Sequence, residues 1–198
     1  MYALVESGTI TKYFNHPKGF TLNDLQYPAD IFMKWSVEEK TAIGIHEVVF
    51  DNSNKKDEQW YINTNQSFAF ANDTVTASYG TATAKAHADA NATDDDGVDL
   101  DPVVVIEGLK TKLIRTVKAQ AAGELARTDW YITRNAEKST AIPSAITTHR
   151  DLVRSRQATM EASITNASNT PALETLYTYT TDSDGVTSRP LALIPTLD

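Results

Sequence analysis

The chain has no cysteine among its 198 residues. Disulfides, thiolate metal centres and cysteine nucleophiles are thereby excluded. That absence suits synthesis in a reducing cytoplasm, and equally a particle that must later survive outside the cell. No stretch reaches the roughly eighteen apolar residues of a membrane helix, so no transmembrane span and no membrane partner are expected. Glycine-rich phosphate loops are missing too, since Gly80 stands isolated among Thr and Ala. There is no Gly-x-Ser-x-Gly elbow for a nucleophilic serine. Apolar residues make up only 41%, which allows a core but not a large one. The opening MYALVESGTITKYF lacks a basic leader and a long apolar run, and reads as a strand rather than a signal peptide.

Positive charge is scarce in the front half. Residues 1–101 carry 7 Lys/Arg against 16 Asp/Glu, or -9, and residues 102–198 carry 11 against 10, or +1; together they give the net -8. A nucleic-acid binder needs a basic face. None is offered here, so no nucleic-acid partner is expected.

What is present divides into three stretches, and the fold class they imply is α+β. Residues 1–84 read as a small, mostly antiparallel β module for docking. Tyr2–Glu6 and Thr9–Phe14 flank Ser7-Gly8 as a hairpin. Residues 20–35 read as irregular, with Ile31, Phe32, Met33 and Trp35 plugging a core. Ser36-Val37-Glu38-Glu39 is a capping box that starts a short helix, which Gly44 should end. Ile45–Phe50, Gln59–Asn63, Ser67–Ala71 and Thr74–Tyr79 are the remaining strand segments. Residues 85–101, KAHADANATDDDGVDLD, form an acidic linker too poor in large apolar residues to offset its ordering entropy.

Residues 102–198 read as a helical hairpin module with an extended C-terminal tail. Ile106, Leu109, Leu113, Val117, Ala121 and Leu125 recur at helical spacing and predict a helix over 104–127. A second stripe from Ile142 to Ala167, including His149, predicts a helix over 143–167. Pro171 opens a third. Asp184-Gly185 marks a hairpin turn between Thr-rich arms.

Candidate chemistry is thin. His16, His46, His87 and His149 lie in no metal-ligating pair, and His149 reads as a helix-packing residue. Asp94-Asp95-Asp96-Gly97 resembles half of a calcium loop. Aligned on Gly97, its first and twelfth positions fall on Ala92 and Val103, so two key ligands are missing. No cofactor, metal or catalytic residue is expected, and the chain does not read as an enzyme. The aromatic residues are more informative. Phe68 and Phe70 share a strand face and read as core. Tyr61 points away from the face that holds Trp60 and Ile62, so Tyr61 and Tyr79 are candidate partner anchors.

The segment Leu125-Ala126-Arg127-Thr128-Asp129-Trp130-Tyr131-Ile132, then Ile142-Pro143, then Thr148-His149-Arg150-Asp151-Leu152-Val153-Arg154, carries a resemblance. It is similar to phage tail assembly chaperone-like domains and to the ends of some tail fibre proteins. There a helix ends in Leu before Thr-Asp-Trp, a Pro follows, and the next helix carries Tyr-Arg-x-x-Leu-Arg. His149 stands here where that family has Tyr. The likeness covers about residues 105–178. The front half resembles proteins of marine phages in its Met-aromatic-Ala-Leu strand, Tyr27–Phe32 segment and Val49–Asn52 turn. The resemblance implies a bacteriophage tail, baseplate or fibre component of the virion, made in the host cytoplasm. Its partners would be other tail or fibre proteins and further copies of itself. Thr128 would cap the corner, Trp130 would pack between two helical arms, and Trp130, Arg150 and Arg154 join Tyr61 and Tyr79 as candidate contact residues. Two other readings remain open at this point: an assembly chaperone absent from the mature particle, and a host-surface carbohydrate-binding module.

Overall fold

The computed structural model describes residues 1–197. The chain divides into two compact units, Met1–Thr83 and Ala84–Asp198. The first carries a mostly antiparallel sheet and the second carries the long helices.

In the first unit, β1 (Tyr2–Glu6) and β2 (Thr9–Phe14) pair as expected. Ser7 and Gly8 both take positive φ, 51° and 78°, the turn geometry whose twist matches that of the strands it joins. The pairing steps from Leu4↔Lys12 to Val5↔Ile10, so Thr11 is an extra residue on β2. This bulge reverses the side-chain alternation. Ile10 therefore joins the cluster of Ala3 and Val5, while Phe14 joins that of Leu4.

Residues 20–35, read as irregular, are more ordered than expected. They hold a second hairpin, β3 (Phe20–Leu22) with β4 (Leu25–Tyr27), turned by Asn23 and Asp24 at positive φ, and a one-turn helix, α1 (Ile31–Lys34). The Asn-Asp pair tolerates the left-handed turn without glycine. Strands of three residues are too short to leave a period-2 signature.

The helix α2 (Val37–Ala42) starts on the complete capping box: the Glu39 amide donates to Ser36 Oγ at 3.1 Å and the Ser36 amide to Glu39 Oε2 at 2.8 Å. Gly44 ends this segment at φ +78° and its carbonyl accepts from the Val5 amide at 2.8 Å. A Cβ there would lie 2.4 Å from the Val5 oxygen, so both the backbone angle and the close approach require glycine.

Next come β5 (Ile45–Asp51), β6 (Tyr61–Ile62), β7 (Ser67–Ala71) and β8 (Thr74–Ser78), with β9 (Thr83–Ala84) at the boundary between units. The five-stranded sheet runs β2-β1-β5-β8-β7 and is antiparallel except where β5 pairs with β8. Both faces are packed. One carries Leu4, Ile45, Phe14, Phe20, Ile31 and Phe32. The rings of Phe14 and Phe32 lie 5.1 Å apart, and those of Phe20 and Tyr27 stack at 5.2 Å. The other face carries Ala3, Val5, Val48, Val75 and Ala77, with Phe68 and Phe70 against it.

In the second unit, residues 85–101 do not run as a featureless spacer. They include β10 (Ala90–Asn91), paired antiparallel with β11 (Val105–Ile106), and a Thr93↔Asp99 bridge closes the arm nearer its tip. Asp94 ties the tip by accepting from the Asp96 and Val98 amides at 3.0 and 2.9 Å. Backbone pairing and side-chain-to-amide bonds thus order a segment whose composition alone argued for flexibility. Asp89 then receives the Gly108 amide and the Thr111 hydroxyl, each at 2.8 Å, at the start of α3 (Leu109–Ala126). The Gly108 amide, foremost, holds the Asp89 carboxyl below its ordinary pKa. The helix begins five residues later than the apolar spacing suggested, because Val105 and Ile106 belong to the arm.

After α3 come α4 (Asp129–Lys138), α5 (Ser144–Asn166) and α6 (Thr170–Tyr177). α3 packs along α5. Val117 and Ala121 are buried on α3, and Ile146, Val153, Met160 and Ile164 on α5. Asn169 caps α6 by accepting from the Ala172 amide at 2.9 Å. The hairpin of β12 (Thr180–Thr181) and β13 (Thr187–Ser188) turns at Gly185, and Leu191, fully buried, anchors the extended tail.

Candidate functional site

The corner between α3 and α4 is built on charge rather than on an apolar plug. Arg150, on α5, is 8% exposed. Its Nη1 donates to the Leu125 carbonyl at 2.8 Å and to Thr128 Oγ1 at 2.7 Å, and lies 2.9 Å from Asp129 Oδ1. The Leu125 carbonyl, in the last turn of α3, has no i+4 amide of the helix to pair with and accepts also from the Thr128 amide at 3.0 Å. Thr128 does not cap α4, contrary to the sequence expectation. Its hydroxyl donates back to Leu125 O at 3.0 Å and accepts from Arg150.

One turn back along α3, Glu124 is equally buried and gathers three donors. His149 Nε2 lies 3.0 Å from its Oε1, the Leu197 amide donates at 2.8 Å, and Arg127 bonds both oxygens. The Leu197 amide leads, with Arg127 and His149 helping, in holding this carboxyl below its ordinary value of 4.5, against the opposing effect of burial. His149 packs between helices as its stripe implied, but its partner Glu124 was not foreseen. Glu124 falls on the buried face between Ala121 and Leu125, where a charged residue in an apolar stripe was the available signal.

A carboxylate whose folded pKa is depressed contributes stability above its unfolded pKa and loses it as pH falls through the folded one. Stability should therefore drop below about pH 4.5 as Glu124 becomes protonated and releases Leu197 and Arg127. Glu124→Gln should flatten that part of the profile. Urea midpoints of the two proteins between pH 5 and pH 3 measure this, and equal slopes would refute it.

From this corner α4 projects with no buried residue. Trp130 is 51% exposed. It does not pack between helical arms, because the Arg150 guanidinium and Thr128 fill the corner. Its ring lies 3.8 Å from that of Tyr131, and Arg134 sits over both, at 4.7 and 5.4 Å. Tyr131 and Arg134 were missed in sequence. The four-residue spacing of Trp130 and Arg134, one helical turn, could have found the pair.

The other expected contact residues do not join this surface. Arg154 is exposed on α5 and pairs with Asp151 at 3.2 Å. Tyr61 is 5% exposed and is not an outward anchor; Ile62 faces solvent instead. The Trp60 and Tyr61 amides both donate to the Asp57 carbonyl, at 3.1 and 3.0 Å. The chain therefore enters β6 from a turn, and strand alternation cannot assign its faces. Tyr79 is partly buried beneath Lys55, 5.7 Å from its ring, and its carbonyl accepts from Asn54. Arg150 is a corner-building residue rather than a surface one.

No family model, curated protein or solved structure matches this chain.

Its residues must therefore carry the functional argument. Among the described residues, no group of three or more His, Cys, Asp or Glu is placed to hold a metal ion. Nor, among the described residues, is any helix long and apolar enough to cross a membrane. The Asp94 carboxylate in the former calcium-loop candidate is engaged with the amides of its own turn. What the arrangement offers is a rigid corner, a projecting helix and an aromatic–guanidinium surface. Such surfaces bind by large contact area with little entropy loss.

Proposed function

We infer that this chain is a non-catalytic structural component of a bacteriophage tail, baseplate or fibre module and works through protein–protein contact. The observation that carries the reading is α4: ten residues, none of them buried, presenting Trp130 and Arg134. Trp and Arg are the residue types that most often dominate binding energy at protein interfaces. The two segments that carry the phage resemblance also meet in space, since Arg150 binds Thr128 and Asp129. Partners are other tail or fibre proteins and further copies of the chain. The site of action is the virion tail, after synthesis in the host cytoplasm.

One observation favours a second reading, a dedicated assembly chaperone. Val103, Val104, Val105 and Ile106 are consecutive and exposed, a surface that a client strand could cover. Quantitative mass spectrometry of purified particles separates the two. A structural component is expected at a fixed copy number, in a multiple matching tail symmetry. Its absence from particles, with presence in infected-cell lysate, would reject the virion reading in favour of the chaperone.

A further inference from the structure

The arginines of the second unit divide into three sets. Arg115, Arg127, Arg150 and Arg154 each pair with a carboxylate, of Glu107, Glu124, Asp129 and Asp151. Arg134 stacks on aromatic rings. Arg156 and Arg189 have no carboxylate partner among the described residues, although the chain as a whole is acidic. These two partly buried arginines line the same cavity, of about 310 Å³, with Tyr179, Thr187, Ser188 and Leu191.

This cavity is preorganised. Arg189 donates from Nε to the Leu191 carbonyl at 2.9 Å and lies over the rings of Tyr177 and Tyr179, at 5.2 and 5.3 Å. Those contacts set the plane of the guanidinium and leave its terminal nitrogens available to donate. A guanidinium presents its N–H groups as a fork that matches a carboxylate. The threonine and serine hydroxyls add neutral donors, and Leu191 supplies an apolar floor.

The same unit carries the complementary group. The tip of the β10–β11 arm is an exposed turn bearing Asp94, Asp95 and Asp96. Asp94 is engaged with the turn amides, whereas the Asp95 and Asp96 carboxylates accept no hydrogen bond and form no ion pair among the described residues. Two cations without a carboxylate partner in a cavity and two carboxylates without a cation on a projecting tip are opposite in sign and equal in number.

We propose that the Arg156–Arg189 cavity receives the acidic arm tip of a second copy of the chain. The contact is head-to-tail, because different surfaces of the two copies meet, and it therefore generates rings or filaments rather than a closed twofold dimer. It deepens the reading of the chain as a self-assembling scaffold and rests on that reading, but its test is separate from the particle measurement.

Sedimentation velocity of the full chain tests it by charge exchange. The unaltered chain should self-associate, and raising the salt to about 1 M should weaken this by roughly tenfold or more, as for exposed charge pairs. Arg156→Glu with Arg189→Glu should be monomeric, and so should Asp95→Lys with Asp96→Lys. Mixing the two altered chains should restore association as alternating assemblies, because the acidic tip of one faces the basic cavity of the other and the basic tip faces the acidic cavity. Combining all four changes in one chain should restore self-association. Arg154→Glu, an exposed and already paired residue on the same helix, should leave association unchanged, and circular dichroism of each variant checks the fold. Monomeric unaltered chain, undiminished association of either half-exchanged variant, or no recovery on mixing well-folded variants would overturn the proposal. Presence of the chain in particles despite any of these results would leave the tail reading standing without this contact.

Discussion

Arg150→Ala should lower the stability of the second unit by about 3 kcal/mol, the scale set by removing a buried charged donor from acceptors that stay buried. The change removes a side chain that bonds the Leu125 carbonyl, Thr128 Oγ1 and Asp129 Oδ1. The hydroxyl of Thr128, almost fully buried, would keep only its bond back to Leu125. In a unit of this size the loss corresponds to roughly 10 °C in Tm. Arg150 Nε is itself buried without a partner, which tempers the net gain from the native arrangement without altering the cost of emptying it. Arg150→Lys should recover only part of the loss, since the shorter side chain holds its ammonium short of the Nη1 position that serves all three acceptors. Asp129→Asn should cost about 0.5 kcal/mol or less, because that carboxylate is largely exposed. Calorimetry of the three variants decides. Equal effects of Arg150→Ala and Asp129→Asn would mean that the ion pair, not the carbonyl and hydroxyl bonds, holds the corner.

Trp130→Ala should do the reverse, leaving stability nearly unchanged and removing binding. The ring is half exposed and contacts its neighbours Tyr131 and Arg134 on the same helix. Its removal should shift the fold by less than about 1 kcal/mol, as for a surface residue outside the core. If α4 is the docking element, the same change removes a central interface aromatic, for which a loss of at least about 2 kcal/mol is typical. That is roughly a thirtyfold weaker Kd. Adding purified chain back to particles assembled without it provides the measurement. Arg134→Ala should show a smaller loss, since it takes away the stacked guanidinium but leaves the indole. Unchanged add-back by Trp130→Ala would remove α4 from the interface.

Local signals were legible wherever a few adjacent residues decide the outcome. Ser36 and Glu39 form their reciprocal bonds because capping depends on a four-residue spacing. Ser7-Gly8 turns its hairpin because the required positive φ is a local property. The extent of α5 followed from a long apolar period, and Pro171 marked the first turn of α6. The candidate contact surface was only half visible. Trp130 was singled out, but its orientation was not, because that depends on which side chain fills the corner behind it. Tyr61 shows the same limit in a strand: alternation assigned it outward, and a turn at Asp57 carried it inward.

The sequence by itself determined the two-part character of the chain, β in front and helical behind, together with its caps, turns and uneven charge, because each depends on composition or on neighbours within one turn. Tertiary structure decided the rest. It set the parallel pairing of β5 with β8 and ordered the acidic segment as an arm. It brought Arg150 to the end of α3 and placed Arg156 and Arg189, with no carboxylate partner among the described residues, in one cavity. These features join residues tens of positions apart, and no spacing rule encodes which distant donor will meet which acceptor once the core has closed.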